Sequence, residues 1–152
     1  MKSLSASDLK RIQMRALNSK CSIFGNMFKR AYKENIDAKD FIRKVMTNKK
    51  LEEYLVVDDR FEWADECVLL YFITHNFDIK LKYGNKLDDY FFYFAGYLYK
   101  YWMTTRNMKP SEVYRIMPIQ RLEKMFDFYH TQDWDYIIND ATEQYKEGKF
   151  IE

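Results

Sequence analysis

Between Asp88 and Met103 the chain places nine aromatic side chains in sixteen residues, in the order Asp-Asp-Tyr-Phe-Phe-Tyr-Phe-Ala-Gly-Tyr-Leu-Tyr-Lys-Tyr-Trp-Met. At 100° per residue, Tyr90, Tyr93, Phe94, Tyr97 and Tyr101 fall on one side of a helix and Phe92, Ala95, Tyr99, Trp102 and Met103 on the other. Almost no polar face is left, and a helix apolar all round lies inside a bundle or crosses a membrane. Spanning a bilayer takes about 20 apolar residues, whereas here Asp88 and Asp89 precede the run and Lys100 interrupts it. A base-stacking platform needs cations interleaved with its rings, and Lys100 is the single cation of the segment. The run is therefore expected to form the buried axle of a helical core. Gly96 in its middle costs roughly 1 kcal/mol relative to Ala, a cost that close approach of a second helix would offset.

The rest of the sequence reads as helix too. Four glycines and two prolines in 152 residues leave few sharp turns, and apolar positions recur at three and four. A first short helix is expected over about 8 to 17, capped by Ser7 or Asp8, with Leu9, Ile12 and Ala16 on one side and an interruption at Asn18 and Ser19. Residues 22 to 34 form an amphipathic basic helix, with Ile23, Phe24, Met27, Phe28, Ala31 and Tyr32 facing inward to pack on the aromatic helix. Asp37 caps the next helix, which Asn48 ends, and a short helix covers about 49 to 55. Asp58 and Asp59 open a helix over about 59 to 74, with Phe61, Ala64, Val68 and Tyr71 along one side. There the apolar run 68 to 73 also admits a strand. Residues 76 to 84 read as a loop. Asn107 stops the aromatic helix, Pro110 and Pro118 start the next two, and Thr131 or Asp133 caps a last helix that Gly148 closes. The expected fold is a single all-α domain of six to eight helices around a central helix at about 87 to 104.

Charge is distributed unevenly. Residues 1 to 50 carry thirteen Lys or Arg and four Asp or Glu, a balance of +9, and the remainder carries a balance of −7. Such polarity points either to an anionic partner or to two halves of the chain that neutralise each other. Lys29, Arg30, Lys33 and Arg43 are the first candidates for partner contacts. No tight helix-turn-helix spacing accompanies them, so nucleic-acid binding through this surface would be electrostatic and non-specific.

Catalytic signatures are sparse. No phosphate-cradling glycine loop, HExxH helix or GxSxG elbow occurs, and no cofactor is expected. His130, Asp133 and Arg115 form the alternative catalytic set, because Tyr129-His-Thr-Gln-Asp133 can set an imidazole beside a carboxylate. The structural alternative is that Thr131 and Asp133 cap a helix while His130 bonds to backbone. Asp59, Glu62, Asp65 and Glu66 read as a solvated acidic face rather than a metal site. Cys21 and Cys67 form neither a CxxC pair nor a disulfide framework. The first residues contain no apolar segment ahead of a small-residue cleavage site. A cytoplasmic location is therefore expected.

The segments Gly96-Tyr-Leu-Tyr-Lys-Tyr-Trp102, Ser111-Glu-Val-Tyr-Arg-Ile-Met-Pro118 and Tyr129-His-Thr-Gln-Asp133 resemble a family of short helical bacterial proteins. Some of these are encoded in clusters like those of toxin-antitoxin pairs or mobile elements. The resemblance spans about residues 60 to 142, and Lys100 stands where an Arg is expected. It implies a helical accessory protein and identifies no ligand. The expected function is a non-enzymatic protein-interaction module, antitoxin-like or accessory. A nucleic-acid-binding protein using the basic third is the alternative, and an enzyme or toxin working near His130 is a further one. A protein partner is expected, a membrane is not, and homo-oligomerisation stays open.

Overall fold

A computed structural model describes residues 3–57, 65–84 and 89–149. Eight helices make up these parts of the chain: α1 (Ala6–Lys33), α2 (Ala38–Thr47), α3 (Lys49–Val57), α4 (Glu66–Asn76), α5 (Asp89–Arg106), α6 (Pro110–Ile116), α7 (Ile119–Tyr129) and α8 (Trp134–Lys146). The fold is an all-α bundle. Within the 76 to 84 connector, one antiparallel bridge joins Tyr83 to Ile36. Among the described residues, no helix is long and apolar enough to cross a membrane.

Local chemistry sets most helix ends. Asp37 accepts from the Asp40 N–H at 3.2 Å, and Asp133 accepts from the Tyr136 N–H at 2.8 Å. Asn48 both ends α2 and starts α3, accepting from the Leu51 N–H at 3.0 Å while donating to the Phe77 carbonyl at 3.0 Å. Asn107, at φ 50°, and Gly148, at φ 70°, lie in the left-handed region that follows helix C-termini.

Two expectations fail. The expected interruption at Asn18 and Ser19 does not occur: α1 is one helix of 28 residues. Asn and Ser disfavour helix by only a few tenths of a kcal/mol. The Asn18 side chain does not compete for nearby backbone but accepts from the Tyr97 hydroxyl at 2.6 Å. The helix starts at Ser5 rather than Ser7 or Asp8, through a reciprocal box in which Ser5 Oγ accepts from the Asp8 N–H and Asp8 accepts from the Ser5 N–H. The second correction concerns α4, which begins at Glu66 behind the N-cap Asp65. Asp58, Asp59, Phe61, Glu62 and Ala64, named for an earlier start and for its acidic face, lie outside the described residues. Val68 and Tyr71 face outward at 57% and 64% exposure, and Leu69, Leu70 and Ile73 are buried instead. Inside a run with no polar position, periodicity does not choose the inner face.

The aromatic helix is the axle. Ten of its residues are buried, from Phe91 to Met103, and Trp102 and Tyr99 are the bulkiest fully buried side chains among the described residues. Each buried aromatic contributes roughly 2 kcal/mol by leaving water, provided its hydroxyl finds a partner. Tyr99 donates to the Met117 carbonyl at 2.7 Å, and Tyr101 donates to Asp135 at 3.0 Å. Tyr93 and Tyr97, half-buried, meet Ser22 and Asn18 on α1. Tyr90 is exposed. Lys100 runs its ammonium over the Phe24 ring, 5.9 Å from the centroid, and donates to the Leu55 carbonyl at 3.3 Å.

Residues 21 to 32 of α1 lie along α5, burying Cys21, Phe24, Gly25, Met27, Phe28 and Ala31. On the opposite side of α5, Phe126 of α7 meets Phe94 edge-on at 5.2 Å, and Trp134 of α8 stacks on Tyr97 at 4.6 Å.

Candidate functional site

The bundle accounts for only half of α1. From Ser3 to Ala16 every residue except Asp8 is exposed, so the first three turns project from the body as an arm about 18 Å long at 1.5 Å per residue. Its exposed residues are not uniformly polar. Leu4, Leu9, Ile12 and Met14 are 55%, 47%, 51% and 45% exposed, and Leu9, Ile12 and Ala16 share one stripe at i, i+3 and i+7. Lone exposed apolar residues are ordinary, but a contiguous group of them marks an interaction surface. Arg15 flanks the stripe, with Lys10 and Arg11 further round on either side.

The continuity of α1 links this arm to part of the sequence-derived set. At 100° per residue, Arg11, Arg15, Lys29 and Lys33 fall on the same side of one unbroken helix. Lys33 is exposed and Lys29 half-buried. Arg30 lies about 60° round from Lys33, and its Nε donates to Glu34 at 3.0 Å, while Arg43 is on α2, donating to Asp40 at 2.8 Å. Asp40 also pairs with Lys44 at 2.6 Å. Burial opposes that carboxylate's charge, but the hydrogen bonds from Lys44 and Arg43 hold it below the usual carboxylate range. Arg43 and Arg30 thus answer carboxylates about one turn away, and Lys29, Arg30 and Lys33 are neighbours on α1 while Arg43 is carried by α2.

Among the described residues, no hydrogen bond or ion pair joins the members of the alternative catalytic set to one another. His130 and Asp133 share a turn, yet each is engaged with backbone. His130 Nδ1 donates to the Phe126 carbonyl at 2.9 Å, its ring stacks on Phe126, and Asp133 caps α8. Arg115 is exposed on α6.

An open cleft of about 390 Å³ lies between the end of α1, α4 and the following connector. Arg30, Glu34, Cys67, Tyr71, His75 and Tyr83 are among its walls. His75 stacks on Tyr71 at 3.8 Å, and its Nδ1 donates to the Tyr71 carbonyl at 2.8 Å. Arg30 is occupied by Glu34, so the cleft offers a neutralised ion pair and aromatic faces rather than a net charge. Among the described residues no cluster of three or more His, Cys, Asp or Glu is arranged to hold a metal.

A third surface lies at the far end of the chain. Phe128 of α7 and Tyr136 of α8 are 47% and 43% exposed and meet edge-on at 6.1 Å. Along α8, Asp133, Tyr136, Asp140, Glu143 and Glu147 share one outward stripe, opposite the buried Ile137, Ile138 and Ala141. The result is an aromatic pair on an acidic ridge.

The sequence contains the arm's residues but hides its projection, since a stripe of Leu9, Ile12 and Ala16 looks like any packed helix face. The one available sign is how thin that stripe is beside the ring-rich one from Phe24 to Tyr32. No protein-family model, characterised protein or solved structure matches the chain.

Proposed function

We propose that the protein is a non-enzymatic protein-interaction module whose contact element is the projecting arm of α1. The observation that carries this reading is the exposure of Leu9, Ile12 and Ala16 along one side of a helix that is already formed. An amphipathic helix offered in this way is the ligand half of helix-in-groove recognition, with anchors at i, i+3 and i+7. Pre-forming the helix as part of a 28-residue element avoids the ordering cost that a disordered segment incurs on binding. Lys10, Arg11 and Arg15 form no ion pair among the described residues, and they favour a groove rimmed by carboxylates. Lys29 and Lys33, on the side of Arg11 and Arg15, extend the same electrostatic surface toward the body. An antitoxin-like or accessory role, as the resemblance implies, is one setting for such a module.

A photoreactive residue placed at position 12 tests this. In cells that make the protein it should form a nuclease-resistant protein adduct that is lost when Leu9→Asp is added, while the same probe at the exposed Glu53 forms none. Adducts only to nucleic acid, or none specific to position 12, would remove the reading.

A further inference from the structure

The arm needs an apolar surface with acidic borders, and the protein itself carries one. We infer that the occupant is a second copy of this chain, with the α1 arm of one molecule laid along the Phe128–Tyr136 ridge of α7 and α8 in the other. This deepens the interaction reading above and rests on it.

Three observations converge. The first is charge. The arm presents Lys10, Arg11 and Arg15, and the ridge presents the exposed Glu143 and Glu147 close to the line through Tyr136, Glu147 also pairing with Lys149 at 2.7 Å. Asp133 and Asp140 on the same stripe are engaged, the first as the α8 cap and the second with Tyr129 and Gln144. Pairing arm with arm would instead set these cations against one another, which disfavours the simplest alternative self-association. The second is apolar fit. The arm's exposed aliphatic residues, Leu9 and Ile12, match an exposed aromatic pair, and aromatic side chains are the usual anchors at interfaces. The third is length. Residues 6 to 17 and the thirteen residues of α8 both run about 18 to 20 Å at 1.5 Å per residue, so the two elements can lie together along their whole extent.

The arm cannot satisfy this ridge within its own molecule. Asn18 is fixed to Tyr97, and Tyr97 is stacked on Trp134 at the start of α8, yet every residue from Leu9 to Ala16 stays exposed. Because α1 continues unbroken through that anchor, folding back would require breaking the helix. The polarity of the whole chain, +9 in the first fifty residues and −7 in the rest, is answered within the molecule by pairs such as Lys39–Glu123 at 2.7 Å, and the arm's share of it acts between molecules. An arm and a ridge are different surfaces, so a mutual exchange closes as a two-fold dimer, and a one-way contact continues into a ring or a longer assembly, according to the rotation it imposes.

Light scattering and sedimentation of the full chain across a concentration series provide the test. The wild type should associate reversibly and lose association as salt is raised. Arg11→Glu with Arg15→Glu should give a monomer, and so should Glu143→Lys with Glu147→Lys, each keeping the wild-type melting curve. One chain carrying all four substitutions should associate again, because the charges of arm and ridge are exchanged together. A wild type that stays monomeric, a ridge variant that associates like wild type, or a fourfold variant that remains monomeric would each overturn the inference. A monomeric wild type that still yields the adduct to another protein at position 12 removes the second copy while leaving the interaction reading in place.

Discussion

The Cα of Gly25 on α1 sits 2.6 Å from the point where a Cβ on Gly96 of α5 would be, and the Phe24 carbonyl oxygen is 2.7 Å from the same point. The reverse is also true, since a Cβ on Gly25 would meet the Tyr93 carbonyl at 2.6 Å. The two longest helices therefore touch backbone to backbone at one crossing. Gly96→Ala or Gly25→Ala should each destabilise the fold by about 2 to 3 kcal/mol. The methyl group meets main chain, which has no alternative rotamer, so the overpacking penalty exceeds the roughly 1 kcal/mol that Ala contributes to helix propensity. Urea unfolding of the two variants measures this; a stability equal to or above wild type would mean that the helices separate without cost.

Helix α6 takes its cap from another part of the chain. Lys109 precedes it without a capping side-chain bond, and Glu52 of α3 accepts from both the Ser111 N–H at 3.2 Å and the Ser111 hydroxyl at 2.5 Å. Glu52→Ala should cost about 1 to 2 kcal/mol, the magnitude of losing a good N-cap. Glu52→Gln, which keeps an acceptor oxygen, should recover most of it. Equal losses in the two variants would show that packing, and not the acceptor, is what matters at this position.

The arm should be separable from the fold. Leu9→Asp with Ile12→Asp exchanges two large apolar residues for charges at positions that touch little, so the change in unfolding free energy should stay within about 0.5 kcal/mol. In the core the same exchange would be ruinous. A large loss of stability in this variant would show that these residues are structural and would withdraw the main support for their role in recognition.

The fold was legible in the sequence where chemistry is local. Asp37, Asn48, Pro110, Asp133 and Gly148 mark helix ends because capping and turn geometry depend on a few neighbouring atoms. The burial of the aromatic helix followed from the lack of any polar face, and Gly96 pointed to the close crossing that Gly25 completes. Features set by distant contacts were not legible. Asn18 reads as a breaker until Tyr97, 79 positions away, takes its side chain. Val68 and Leu70 are equivalent in sequence until the bundle selects which one it covers. The arm was hidden for the same reason, since exposure is a property of what is absent around a residue.

The two cysteines should differ sharply in reactivity. Cys21 is fully buried between α1 and α5, and burial pushes its thiol up to about 12 despite the opposing influence of Lys100 and Lys20. Cys67 is exposed at the cleft beside α4. Since the thiolate is the nucleophile, brief alkylation of the native protein at mildly alkaline pH should label Cys67 and leave Cys21 unlabelled until denaturant is added. Mass spectrometry of the digested protein distinguishes the sites, and native labelling of Cys21 would show that the α1–α5 seam opens.

Buried phenols should set the alkaline limit of the fold. Burial raises Tyr97 to about 12, with the nearby Cys21, Tyr93 and Tyr101 adding to the effect. It also raises Tyr99, Tyr114 and Tyr129, and in Tyr129 the hydrogen bond to Asp140 adds to burial. An unfolded tyrosine ionises near pH 10. A folded-state value above that means the native protein holds protons that the unfolded chain releases, so stability falls as pH rises wherever this difference exists. The contribution of these residues is fully present below about pH 10 and is lost progressively toward pH 12 and beyond. Tyrosinate absorbance and helical circular dichroism, followed together, should therefore show a group of phenols that ionises only as the helices melt. Tyr99→Phe, which removes one buried proton-holding group along with its bond to the Met117 carbonyl, should lower stability at neutral pH by about 1 kcal/mol and make the alkaline decline shallower. Ionisation of all thirteen tyrosines with the helical signal intact would show that the tyrosine-rich core admits charge, contrary to its burial.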